Sequence, residues 1–151
     1  MDSHSAGALS PEAFRAMADA IPDAVVIVDA AGAIVYWNQG AVRVFGRSAE
    51  QALGDTLDII VPERLRDRHW EGFRSAVASG QSRYGPDELL AVPAVRADGT
   101  QISIEFTVAL LPSDGEGDVH VAAVIRDVTE RRNRERELRR RLEALGSPPG
   151  D

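Results

Sequence analysis

A chain of 151 residues, 44% apolar and 27% charged, has room for one sizeable core and the composition of an ordinary globular domain. The absence of cysteine excludes disulfides, thiolate-held metals, iron–sulfur clusters, cysteine nucleophiles and cysteinyl-adduct photochemistry, and the absence of lysine excludes Schiff-base catalysis. The formal charge is −7, yet seven of the arginines fall between Arg131 and Arg141, so an acidic body carries a basic tail.

The opening residues, MDSHSAGALS, lack the basic and apolar regions of a secretory signal, and no window is apolar for long enough to cross a bilayer. The expectation is a cytoplasmic chain without a membrane partner. Residues 1–9 read as a disordered start. Ser10 then offers an N-cap, Pro11 suits the first helical position, and Phe14, Met17, Ala18 and Ile21 form an apolar stripe that Pro22 ends. Such a helix is expected to lie against something apolar.

The β-branched run Ala24–Asp29, a turn at 30–32 and the run Ile34–Trp37 predict a hairpin. Short helices follow over Asn38–Gly46 and Ser48–Leu53; in the second, Ser48 and Gln51 have the spacing of a capping box and Gly54 marks the stop. After Pro62 the sequence predicts a helix of about five turns to Gly80, with Leu65, Phe73, Ala76 and Val77 on one face. At roughly 100° per residue from Leu65, His69 falls near 40° and Trp70 near 140°, which sets His69 inside the apolar stripe and Trp70 at its edge.

Strands are expected over Leu89–Arg96, Gln101–Leu111 and Val119–Val128, joined by a turn at 97–99 and a loop at 112–118. In the middle one, Ile102, Ile104, Phe106 and Val108 alternate with polar residues, as in an antiparallel sheet covered on one face. Two strands, a set of helices and three strands argue for an α+β fold. From Thr129 the chain is helical to about Ala144. Val128, Leu138, Leu142 and Leu145 fit heptad core positions, although Arg131 and Glu135 occupy the slots between. Glutamates interleave with the tail arginines, which suits i,i+4 pairing on a solvated helix better than nucleic-acid binding.

These segments resemble a known family. AIPDAVVIVDAAGAIVYWNQGAVRVFGRSAEQALG is similar to the N-terminal half of a PAS domain, RADGTQISIEFTVALL to its later strands, and VAAVIRDVTERR to its last strand and the Asp127–Val128–Thr129 junction with a signalling helix. The resemblance implies a five-stranded antiparallel sheet with a helical flank and a cavity between sheet and long helix. It divides the chain into an N-terminal tail and amphipathic helix (1–20), a PAS sensor domain (21–128) and a C-terminal helical linker with a disordered end (129–151).

Within the family, PERLRDRHWEGF resembles the long helix of haem-binding oxygen sensors, in which a histidine seven residues after the proline ligates the iron; Pro62 and His69 keep that spacing. The resemblance implies haem b with His69 as its metal ligand, in a pocket bounded by Leu65, Phe73, Phe106 and Val108. Arg83 and Tyr84 would lie near the propionates, and Leu89 or Leu90 would stand where oxygen sensors carry an arginine. A leucine there offers no hydrogen bond to bound dioxygen, which suits carbon monoxide or nitric oxide, or a different mode of oxygen binding. Trp37 and Asn38 stand where flavin-binding relatives have aromatic and polar groups, so a flavin, a small metabolite or no ligand are the alternatives. No hydrolase, nucleotide-binding or zinc-protease motif is present, and Asp55, Asp58 and Glu105 read as caps, turns and solvent faces, so the expectation is not an enzyme. The expected partners are a small ligand or diatomic gas and a second copy joined through the terminal helices.

Overall fold

The computed structural model describes residues 7–81, 90–112 and 119–146. In chain order these form α1 (Pro11–Ala20), β1 (Ala24–Val28), β2 (Ile34–Trp37), α2 (Gln39–Phe45), α3 (Ala49–Ala52), two 3₁₀ turns (Leu57–Ile59 and Glu63–Leu65), α4 (Arg66–Ser79), β3 (Leu90–Val95), β4 (Gln101–Pro112), β5 (Val119–Asp127) and α5 (Thr129–Gly146). The strands make one antiparallel sheet in the order β2-β1-β5-β4-β3. This is the α+β architecture that the resemblance implies.

Local chemistry sets the boundaries. Ser10 caps α1 by accepting from the Ala13 N–H, and Ser48 and Gln51 complete a reciprocal capping box on α3. The Asp29 carboxylate accepts from the N–H groups of Ala31 and Ala33 and folds the β1–β2 turn around Gly32, whose φ of +94° suits a residue without a side chain. The long helix differs from its prediction at its start. Glu63–Leu65 is a separate 3₁₀ turn, and α4 begins at Arg66 without a side-chain cap.

Pairing divides the sheet into two faces. Val26, Val28, Ile34, Ile102, Ile104 and Ile125 point inward and are buried beneath α2, α3 and Ile60, with Phe45 and Ala41 completing the cluster. The rest of the inner face is less covered: Phe106, Val108, Leu110, Val121 and Ala123 are half-buried, and Val92, opposite Ile104, is 39% exposed. On the outer face Val124 is also exposed.

Asn38 joins α1, β1 and α2. Its Oδ1 accepts from the Val25 and Ala41 N–H groups, and its Nδ2 donates to the Ala18 and Asp23 carbonyls. Two residues on, a Cβ at Gly40 would collide with the Asp23 carbonyl oxygen, so only glycine lets α2 approach the entry of β1 this closely. At the ends, Ala18 and Ile21 of the α1 stripe are half-buried, while Phe14 and Met17 are more than half exposed among the described residues. One expectation needs correction: Val128 is buried in the domain, bonded through its N–H to the Ser103 carbonyl, and does not belong to a helical seam.

Candidate functional site

The region around α4 holds the sequence-predicted ligand. His69 lies one turn into the helix, half-buried, with its ring stacked on Phe73 at 6.4 Å between centroids and meeting Trp70 edge-on at 5.5 Å. Phe73, four residues on, reaches the buried cluster, against which Phe106, Val121 and Ala123 also pack. The histidine, its stacking partner and the loosely covered half of the sheet are therefore on the same side of the domain. Burial pushes the His69 pKa below its ordinary 6.5, while the nearby Asp58 carboxylate pulls the other way. The ring is neutral at physiological pH, and its Nδ1 is buried with no hydrogen-bond partner among the described residues.

Trp70 is built into the adjoining wall. Its Nε1 donates to Asp58 Oδ1 at 2.8 Å, its six-membered ring lies over Gly32 so closely that a Cβ there would collide with it, and its face meets Phe73 edge-on at 5.4 Å. Arg66, one turn earlier, donates to the Asp58 and Val61 carbonyls. Asp58 is thus more than the cap or turn residue expected from the sequence, and its two roles could not be read without knowing that α4 folds back over residues 57–59.

The remaining predicted residues divide cleanly. Leu65, Phe106 and Val108 are half-buried. Arg83, Tyr84 and Leu89 lie outside the described residues, and Leu90 is described only as the first residue of β3, paired with Phe106. Trp37 and Asn38 are structural: the indole N–H donates to the Arg47 carbonyl, the ring tilts against Phe45, and every polar group of the Asn38 amide is engaged with backbone. Glu105 pairs with Arg131 at the exit helix, and Asp55 accepts from the Thr56 N–H. Among the described residues no group of three or more histidines and carboxylates could hold a metal ion.

The exit from the sheet is tightly bonded. Asp127 Oδ1 accepts from both the backbone N–H and the hydroxyl of Thr129, and the Thr129 hydroxyl oxygen accepts from the Ser103 N–H. Arg126, directly before this junction, makes a two-pronged pair with Asp23 at 3.1 Å on each prong, which raises its pKa. Along α5, pairs such as Glu130–Arg134 and Glu137–Arg141 follow the i,i+4 spacing expected of a solvated helix.

Comparison with known proteins decides the family. The profile of the PAS fold family matches residues 18–133. The chain belongs to the PAS family. This PAS domain is 36% identical over 135 residues to an uncharacterized protein of Azorhizobium caulinodans, covering 89% of the chain and 18% of that protein. It is 29% identical to the sensor protein FixL of Bradyrhizobium diazoefficiens, over 77% of the chain and 22% of the relative, and 28% identical to the oxygen sensor protein DosP of Escherichia coli, over 69% and 13%. The chain thus spans about a fifth or less of the length of these curated relatives. Among solved structures, the PAS domain of a Colwellia psychrerythraea protein aligns with a TM-score of 0.65 at 25% identity, over 78% of this chain and 96% of that one. An RNA-binding light-oxygen-voltage receptor aligns with a TM-score of 0.72 at 23% identity, over 95% and 40%, a likeness of fold.

Proposed function

We propose that this PAS domain is a cytoplasmic sensory domain that holds haem b through His69, senses a diatomic gas or redox state, and delivers its signal through α5. The observation that carries the reading is a helical histidine, seven residues after Pro62, whose neutral imidazole keeps a buried nitrogen without a partner among the described residues. An unsatisfied buried nitrogen is costly, and coordination of a metal removes that cost. The residues fit the group in type: His69 offers the lone pair, and Leu65, Phe73, Phe106 and Val108 offer an apolar wall. Haem, when bound, supplies an iron with a position open to a gas. Arg83 and Tyr84 for the propionates and Leu89 or Leu90 beside the gas complete the proposed site by resemblance. The sensory names of FixL and DosP support the reading, and by the same resemblance a leucine in place of the arginine favours carbon monoxide or nitric oxide over dioxygen.

The domain acts by binding, not by catalysis. Its output would run through β5, whose end is bonded into the Thr129 junction, so that a ligand against the inner face biases the direction of α5. The test is a titration of the purified chain with haemin. Saturation at one haemin per chain with a Soret shift that disappears in His69→Ala supports the proposal, and an unsaturable or His69-independent shift refutes it.

A second reading, a ligand-free dimerisation module, is favoured by a separate observation: Phe14 and Met17 on α1 and Leu138, Leu142 and Leu145 on α5 are all exposed. Sedimentation of the haem-free protein tests it, with a dimer expected and a monomer at high concentration counting against it.

A further inference from the structure

The helix that carries His69 has few anchors. Among the described residues none of α4 is fully buried, and its first turn has no side-chain cap. What holds its N-terminal half is a clasp on Asp58. Arg66 Nη2 donates to the Asp58 carbonyl at 3.2 Å, and Trp70 Nε1 donates to the Asp58 carboxylate at 2.8 Å. Arg66 and Trp70 are four residues apart, so both leave α4 from the same face and grip one residue of the earlier 3₁₀ turn, Leu57–Ile59. The indole then continues past Asp58 onto Gly32 in the β1–β2 turn, where its ring occupies the space that any other residue's Cβ would need. Three segments distant in sequence meet at a side chain adjacent to His69.

We infer that Trp70 is a positioning residue for His69: by bonding to Asp58 and seating on Gly32 it fixes the rotation of α4 about its own axis, and thereby fixes where the His69 imidazole is presented. The geometry favours this over simple filling of space. A phenyl or aliphatic side chain would fill the volume above Gly32 but would bring no donor to the carboxylate, which the indole N–H does. The edge-on contacts of Trp70 with both His69 and Phe73 then relay its placement to the ring. Release of either anchor frees α4 to turn, and a turn of one residue spacing, about 100°, carries His69 out of the inner face. The inference rests on His69 being the functional residue, and its test separates the two claims.

The test uses the whole chain and its three histidines. Reaction with diethylpyrocarbonate, followed residue by residue by mass spectrometry, reads how often His69 is reached, with His120 in β5 as the internal control for global unfolding. Asp58→Ala should raise the rate at His69 by about tenfold to a hundredfold while His120 stays unchanged, the size expected from losing one hydrogen bond to a charged acceptor. Asp58→Asn, which keeps an acceptor oxygen, should return the rate to within about twofold of the parent. Trp70→Phe, which keeps a ring over Gly32 and loses the donor, should match Asp58→Ala. An unchanged His69 rate in both Asp58→Ala and Trp70→Phe, or failure of Asp58→Asn to restore protection, overturns the inference. Haemin titration of the same variants gives the second arm: a Soret band broadened or shifted in Asp58→Ala and restored in Asp58→Asn is the result expected of a positioning role. If the parent chain shows no His69-dependent Soret band, the haem reading fails, while the modification rates still decide the role of Trp70.

Discussion

Replacing Asn38 with alanine should come close to unfolding the domain. The side chain has no exposed surface, and its amide makes four hydrogen bonds to backbone groups of three different segments: 2.8 Å from Val25 N, 2.8 Å from Ala41 N, 2.6 Å to Ala18 O and 3.1 Å to Asp23 O. Alanine removes all four and leaves two N–H groups and two carbonyls without these partners. One of them, the Ala41 N–H, is the helix-cap bond of α2, and loss of such a cap costs about 1 kcal/mol. The other three groups are only partly buried and some recover a water, so about 1 kcal/mol each is a fair allowance. The total is about 4 kcal/mol, a large share of the ~5–15 kcal/mol by which such a domain is stable. Urea unfolding followed by far-UV circular dichroism measures it. The midpoint should fall by the equivalent of about 3–5 kcal/mol with an unchanged m-value. A loss below about 1 kcal/mol would refute the claim that Asn38 holds α1, β1 and α2 together.

Other consequences can be checked with the same apparatus. Gly40→Ala should destabilise by more than about 2 kcal/mol because the new methyl meets the Asp23 carbonyl oxygen, which belongs to the backbone and cannot swing aside; a neutral result would mean that α2 and β1 are less closely held. His69 has a folded-state pKa below its ordinary 6.5, so between those two values the unfolded chain binds the extra proton. Its contribution is therefore complete above about pH 6.5 and is lost as the pH falls toward the folded-state value; His69→Gln should flatten that limb of the stability profile, and an identical profile would contradict the burial. Thr129→Val removes the hydroxyl that bonds Asp127 and Ser103, and amide hydrogen exchange should then speed up in the first turn of α5 and not in β1 or β2.

Much of the fold could be read from local patterns. The alternation through Ile102, Ile104 and Phe106, the hairpin around Gly32 and the capping box at Ser48 each depend on residues close in sequence, and each is present. The sequence placed His69 toward the apolar side of its helix because helical periodicity is a local property. It did not disclose the 3₁₀ turn before α4, nor Asp58 as the residue that Arg66 and Trp70 both grip, because these follow from how α4 folds back on residues 57–59. Asn38 was open to misreading for the same reason. A polar residue at a strand end is equally suited to face a ligand or to bridge backbone segments, and only the positions of Ala18, Val25 and Asp23 around it decide for the second. Val128 has a heptad spacing from the tail leucines yet is buried in the domain, so spacing alone could not separate the end of the core from the start of the exit helix.

The measurement that bears most directly on the central claim is the iron–imidazole stretching band in the resonance Raman spectrum of the haem-loaded, reduced chain. The account predicts a band that is present in the parent, absent in His69→Gly, and restored when imidazole is added to that variant. A band that persists in His69→Gly without imidazole, or a parent chain that has none, would contradict the assignment of His69 as the ligand.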